Sequence, residues 1–364
     1  MRIDRLPLTY DESRARFRRA ATEADLTVAP HPITALGPDG QRLTIDVVRL
    51  GAEHPRRALT VLSGVHGVEG FIGSTLQADL LHRLDPTALP DDVAVLVVHA
   101  VNPWGMAWWR RQNESNVDLN RNWRRDELDP LHNDPYDVVH PVLCPDTPEL
   151  PSIDELFAAV RALSDEHGTE WVRDAITQGQ YRHRDGWHFG GDRTEESSRI
   201  LHDIAAEHLV GVERALTIDL HTGHGPSGAV TFLSDQPLGS AQDDFFRQHF
   251  GAERVEATAD NPDATTGVKS GQIANGIRQL LGDATYHASS VEFGTESAGR
   301  QLVATFLDNW VHRHGDRLLP EHAAAVWGYR CTFTPDDPAW ERTCLAAGRD
   351  LLDRAVAVVG AWDG

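Results

Sequence analysis

The chain has 364 residues, 34 basic against 55 acidic side chains and a formal charge of −21. That balance excludes a phosphate-backbone binder, which needs clustered Lys and Arg, because Lys269 is the only lysine and the arginines are scattered. A hydrophobic content of 40% with ten Trp excludes general disorder and predicts a folded globular chain. Charges throughout Met1 to Ala20 argue against a signal peptide, and no stretch of about 18 apolar residues suggests a membrane span. Cys144, Cys331 and Cys344 are odd in number and widely spaced, which predicts free thiols and a cytoplasmic location.

In chain order, the pattern predicts an amphipathic helix near Tyr10 to Ala24 and an alternating strand from Gln41 to Leu50. Ala58 to Val65 reads as a buried strand that stops at His66, and a helical pattern runs from Glu69 through Leu81. A second buried strand, Val93 to Ala100, ends at the turn signal Asn102-Pro103. Two such strands separated by a helix predict an α/β fold with a mostly parallel mixed sheet flanked by helices. From Arg124 to Gly191 six prolines punctuate a polar, acidic stretch, with helices near Ile153 to Leu163 and Glu170 to Ile176, and this reads as an insertion at 124–191. Core-like sequence resumes with a helix at Glu195 to Leu209 and strands at Ala215 to Leu220, Gly228 to Leu233 and Tyr286 to Phe293. Helices are expected at Ala298 to His314 and Glu341 to Val359, the latter within a C-terminal helical extension at 340–364. The expectation is one domain with these two additions.

Among 19 His, two stand in a His-x-x-Glu spacing, about the number chance supplies, so context has to separate them. His167-x-x-Glu170 lies in a polar helical stretch, where a solvated face explains it. His66-x-x-Glu69 sits where a buried strand hands over to a helix, at the carboxyl end of the sheet, among Gly64, Gly67 and Gly70. Taken alone, a strand-end histidine and a helix-start carboxylate would explain that pair too. Three further features point to chemistry: His221 at the end of another buried strand, the polar run Asp118 to Asn122, and Glu292, a carboxylate inside an apolar strand that is costly to bury without a task.

The ordered set His66-x-x-Glu69, Asn102-Pro103-x-Gly105, Trp109-Arg110, Asp118-x-Asn120-Arg121-Asn122-Trp123, Asp219-Leu220-His221 and Glu292 resembles the zinc carboxypeptidases of the M14 type. It is also similar to their aspartoacylase and succinylglutamate desuccinylase relatives, and the runs HGVEGFIGS and RRQNESNVDLNRNW look like the DUF2817 branch. The resemblance implies a phosphorylase/hydrolase-like fold and one Zn²⁺ per chain, held by His66, Glu69 and His221 with a fourth position open to water. It further implies Glu292 as general base, Arg110 on the oxyanion with Arg111 able to exchange roles with it, and Asn120, Arg121 and Arg111 as substrate-binding residues, the first two on a substrate carboxylate. Asp118 would orient His66 and Asp219 would orient His221. The substrate so implied is a small carboxylate-bearing peptide, cut as by a carboxypeptidase, or an N-acyl amino acid; the other alternative is a non-catalytic binding protein on the same fold. The stretch Thr265 to Gly271 lacks the Tyr that such carboxypeptidases carry there, and the insertion is expected to cover the mouth of the site.

Overall fold

A computed structural model describes residues 5–127, 132–259 and 269–362. Helix α1 (Tyr10–Glu23) is followed by strands β1 (Val28–Leu36), β2 (Arg42–Gly51) and β3 (Arg57–Ser63), then α2 (Gly70–Arg83), β4 (Val93–His99) and the short α3 (Pro103–Trp108). Helices α4 (Asp134–Leu143), α5 (Ile153–His167), α6 (Thr169–Thr177) and α7 (Glu196–Leu209) precede β5 (Arg214–Gly223) and β6 (Val230–Pro237). The chain continues through α8 (Ala241–Phe250), β7 (Val255–Ala259), α9 (Ile273–Leu281), β8 (Thr285–Gly294), α10 (Ala298–His314), α11 (Pro320–Phe333) and α12 (Pro338–Gly360).

The eight strands form one sheet in the order β1-β2-β4-β3-β5-β8-β6-β7. Its centre, β4-β3-β5-β8, is parallel, while β1, β2 and the β6-β8 pairing are antiparallel. The mixed, mostly parallel sheet follows from sequence. Strands β3 and β4 are buried along their whole length, as the unbroken apolar runs require for a sheet covered on both faces. Successive residues then feed opposite layers: Leu59 and Val61 pack with Ile72 and Leu76 of α2 and Leu352 of α12, whereas Ala58 and Leu62 pack with Leu201 of α7 and Ile277 of α9.

Several elements escaped the sequence pattern. Strand β1 carries Pro30 and Pro32, which are tolerated because it is an edge strand with one neighbour. Helix α4 contains Pro141 inside it and is held by burying Tyr136, Val139 and Leu143. Those residues join Leu156, Ala175 and Trp187 in a small separate core, so the 124–191 stretch, of which residues 128–131 lie outside the described ones, packs mainly on itself and on Phe306 of α10. Among the described residues no helix is long and apolar enough to cross a membrane, and the three cysteines are free.

Strand β4 ends in His99, which is fully buried, bonds Ser74 Oγ through Nε2 at 2.9 Å and stacks on Phe17 at 4.7 Å. Burial pushes its pKa down to about 4. The unfolded chain therefore binds more protons between that value and the ordinary pKa of about 6.5, so this contribution to stability is full above about pH 6.5 and is lost as pH falls toward 4. Between about pH 7 and 5 the loss from His99 alone is about 2 kcal/mol. Urea unfolding of a His99→Gln variant should lose that much less stability than the parent over the same interval; equal losses would show that His99 does not titrate on unfolding.

Candidate metal centre and active site

The central strands bring the site together at their carboxyl ends. From β3 the chain turns to β4 on one side and later to β5 on the other, so the sheet's switch point lies between β3 and β5, where open α/β sheets bind ligands. His66 leaves β3 through Gly64, whose φ of +65° suits a residue without Cβ. Gly67 packs so tightly on α3 that an added Cβ would lie 2.0 Å from the carbonyl carbon of Gly105. The 3-10 turn Gly67–Glu69 then brings the Glu69 carboxylate to His66. On the other side His221 and Glu292 are direct register partners in β5 and β8, which explains why residues so far apart in sequence lie side by side.

His66, Glu69 and His221 are all buried and form one cluster able to hold a metal ion. His66 Nδ1 stands 3.1 Å from both Glu69 carboxylate oxygens, and His221 Nδ1 is 2.9 Å from Glu69 Oε2. Behind them, His66 Nε2 meets Asp118 Oδ1 at 3.1 Å and His221 Nε2 meets Asp219 Oδ2 at 2.7 Å. Both nitrogens of both rings therefore face carboxylate oxygens, although a neutral imidazole has one N–H to give. A divalent cation held by His66, Glu69 and His221 would resolve this, leaving each Nε2–H to its carboxylate. The donor set fits a metal. Against burial, Asp219 and Glu69 hold the His221 pKa well above its usual range, while His66, His221 and Arg111 hold Glu69 below the carboxylate range.

A second cluster, His140, His183 and Asp185, differs in one respect. Its rings stack 3.9 Å apart at 22°, so their in-plane lone pairs run side by side instead of converging on one ion. His167 stacks on Trp171 at 4.2 Å, in keeping with a solvated face, and His224 pairs with Glu256 at 2.9 Å.

The arginines require a correction. Trp109 closes α3 in the left-handed conformation (φ 55°), and the carbonyls of the next two residues accept from Val68 N and Gly67 N. The two arginine side chains part company there. Arg110 goes into the interior, where Nε bonds Asp308 at 3.1 Å and Nη2 bonds Asn116 at 3.2 Å. Arg111 turns to the cluster, with Nη1 on Glu69 Oε1 at 3.0 Å and Nε on Asp118 Oδ2 at 3.1 Å. Arg110, expected on the oxyanion, does not reach the site.

Asn120 and Arg121 lie beside the cluster on a 3-10 turn capped by Asp118. Asn120 Oδ1 accepts from Ile273 N, and Arg121 donates Nε to Gln178 O, Nη1 to Asn120 O and Nη2 to Thr177 O. Of its five N–H groups, one on each Nη makes no hydrogen bond to another described residue, and Arg121 lines the cavity beside the cluster. Thr177 and Gln178 belong to the end of α6, so the insertion aims Arg121.

Two residues at the site were not singled out from sequence. His188, with φ 51°, reaches from the insertion to Asp118 Oδ2 at 3.2 Å, and burial pushes its pKa down to about 4. Lys269 faces the same space, and burial together with Arg121 and Arg111 pushes its pKa down to about 7. Being the only lysine was the one available signal. Of the Tyr-less stretch, residues 265–268 lie outside the described ones.

Residues 7–347 match the family model described as protein of unknown function (DUF2817). The chain belongs to the DUF2817 family. None of the curated proteins matches. Among solved structures it is similar to carboxypeptidase A from Helicoverpa armigera, at 16% identity and a TM-score of 0.48 over 95% of this chain and 75% of that one. A metallo-carboxypeptidase from Pseudomonas aeruginosa gives 17% and 0.44 over 94% and 69%. The succinylglutamate desuccinylase from Chromobacterium violaceum gives 16% and 0.39 over 88% and 74%.

Carboxylates that orient metal-ligating histidines typically contribute about 10–100-fold to metal affinity. Asp219→Asn should weaken zinc binding by that factor in competition with a chromophoric chelator. Unchanged affinity would mean that His221 is not a ligand.

Proposed function

We propose that the chain is a zinc-dependent hydrolase that cleaves an amide bond next to a free carboxylate. The observation that carries this reading is the side-by-side register of His221 and Glu292, which sets a carboxylate next to the three candidate ligands and on the same cavity as Arg111 and Arg121. His66, Glu69 and His221 would hold the ion. When bound, zinc supplies Lewis acidity toward a carbonyl and brings the pKa of a coordinated water down to about 7.

The remaining work falls to the chain's own side chains. Glu292, which takes a backbone hydrogen bond from His224 N at 3.3 Å, accepts the water proton and returns it to the leaving nitrogen. Arg111, in place of Arg110, donates to the developing oxyanion; its Nη2 makes no hydrogen bond to another described residue. Asn120 and the free fork of Arg121 bind the substrate carboxylate, a task that suits a planar guanidinium better than an ammonium. Asp118 and Asp219 hold the histidine tautomers. Retention of Glu292 along with all three ligands favours an enzyme over a binding protein, because a scaffold could lose the base without losing the fold.

Within this reading, carboxypeptidase-like chemistry and N-acyl amino acid deacylation share every step above. Deacylation gains weight from the 124–191 stretch, whose α6 end and His188 stand beside the site on Arg121 and Asp118.

Glu292→Gln should retain one zinc per chain and lose turnover; persistent activity would refute the assigned base. Arg111→Ala should lower kcat by about 10²–10³-fold, the usual loss of an oxyanion donor. Arg110→Ala should instead cost about 3–5 kcal/mol of stability by stranding buried Asp308. The reverse pattern, read by kinetics and urea unfolding, would return the oxyanion role to Arg110.

A further inference from the structure

Two cavities meet at Arg111, Arg121, Lys269 and Glu292, and they differ in character. The inner one, about 50 Å³, is small and polar, bordered by Asn120, Asp235, Gln272 and Ser290. The outer one, about 450 Å³, lies in the range of about 300–1,000 Å³ usual for small-molecule sites. It runs from Glu69 and Glu292 out between the insertion and α10, along Val160 of α5, Val172 and Ile176 of α6, Trp187, and Leu302 of α10.

Val160, Ile176 and Leu302 pack against the insertion's own core yet are only partly buried, so each keeps apolar surface on this cavity. A solvated helix face would carry polar groups at these positions. The same helix that supplies Val172 and Ile176 ends in the two carbonyls that aim Arg121. The carboxylate grip and part of the apolar wall thus share one helix.

We propose that the substrate's acyl arm is apolar and occupies this outer cavity, which makes the substrate class an N-acyl amino acid with a hydrocarbon acyl group. The inference rests on the hydrolase reading for the position of the scissile bond. Polar side chains such as Ser164, Thr169 and Gln301 also border the cavity, but the stretch of Val160, Val172, Ile176 and Leu302 offers a peptide's amide groups no hydrogen-bond partner. The small inner cavity takes the amino acid, with its carboxylate on Arg121.

The test uses zinc-loaded full-length protein and an N-acyl-alanine series from acetyl to octanoyl. Burial of each methylene should raise kcat/KM by about fourfold until the cavity is filled. Ile176→Asp and Leu302→Asp should each flatten that dependence. Binding is read separately by calorimetry on zinc-loaded Glu292→Gln, where Kd should fall with chain length. An active enzyme whose rate and affinity are flat with acyl length, or which prefers a tripeptide to the octanoyl compound, overturns the proposal and leaves the hydrolase reading standing. Affinity that rises with chain length while the parent protein turns over no amide supports the cavity assignment and defeats the hydrolase reading instead.

Discussion

The carboxylate of Glu69 is buried between two imidazole nitrogens, with two more carboxylates, Asp118 and Asp219, behind the rings. Three acidic groups this far from water are affordable only if cations face them. Arg111 supplies one by bridging Glu69 and Asp118, and it stays charged because both partners oppose the effect of burial. The rest of the balance falls to the two rings, whose nitrogens all point at oxygen. The sheet, the tight glycine contact at Gly67 and the left-handed Trp109 all serve to hold this arrangement. In that sense the charge balance of these side chains suits a cation among them.

The 124–191 stretch borders the candidate site. Through Thr177 and Gln178 it fixes Arg121, through His188 it adds a ring to Asp118, and through α5 and α6 it walls the outer cavity. Its own small core, built on Tyr136, Trp187 and Phe306, keeps these contacts in register with α10. A stretch that is polar, acidic and rich in proline thus gains its order from few large side chains, while its exposed surface accounts for the composition.

Much of the site was legible in sequence for a definite reason. His66, His221 and Glu292 each interrupt or end an apolar run, and a polar group at that place in a parallel sheet has few structural explanations. Arg110 was expected on the oxyanion, yet it is Arg111 that meets Glu69 and Asp118, and the left-handed turn at Trp109 just before them leaves no mark in composition. His188 lies in irregular chain without periodicity, so nothing in its neighbours points to Asp118. The missed elements have similar causes: prolines mask β1 and α4, and α11 offers no clear apolar stripe because residues such as His322 and Arg330 are buried among its apolar ones.

The central claim is that one zinc ion binds between His66, Glu69 and His221. X-ray absorption at the zinc edge, on protein loaded with one equivalent, tests it most directly. The account predicts a low-coordinate shell of nitrogen and oxygen at about 2.0–2.2 Å with outer-shell scattering from two imidazoles. Sulfur at about 2.3 Å, an all-oxygen shell, or failure to retain stoichiometric zinc would contradict it.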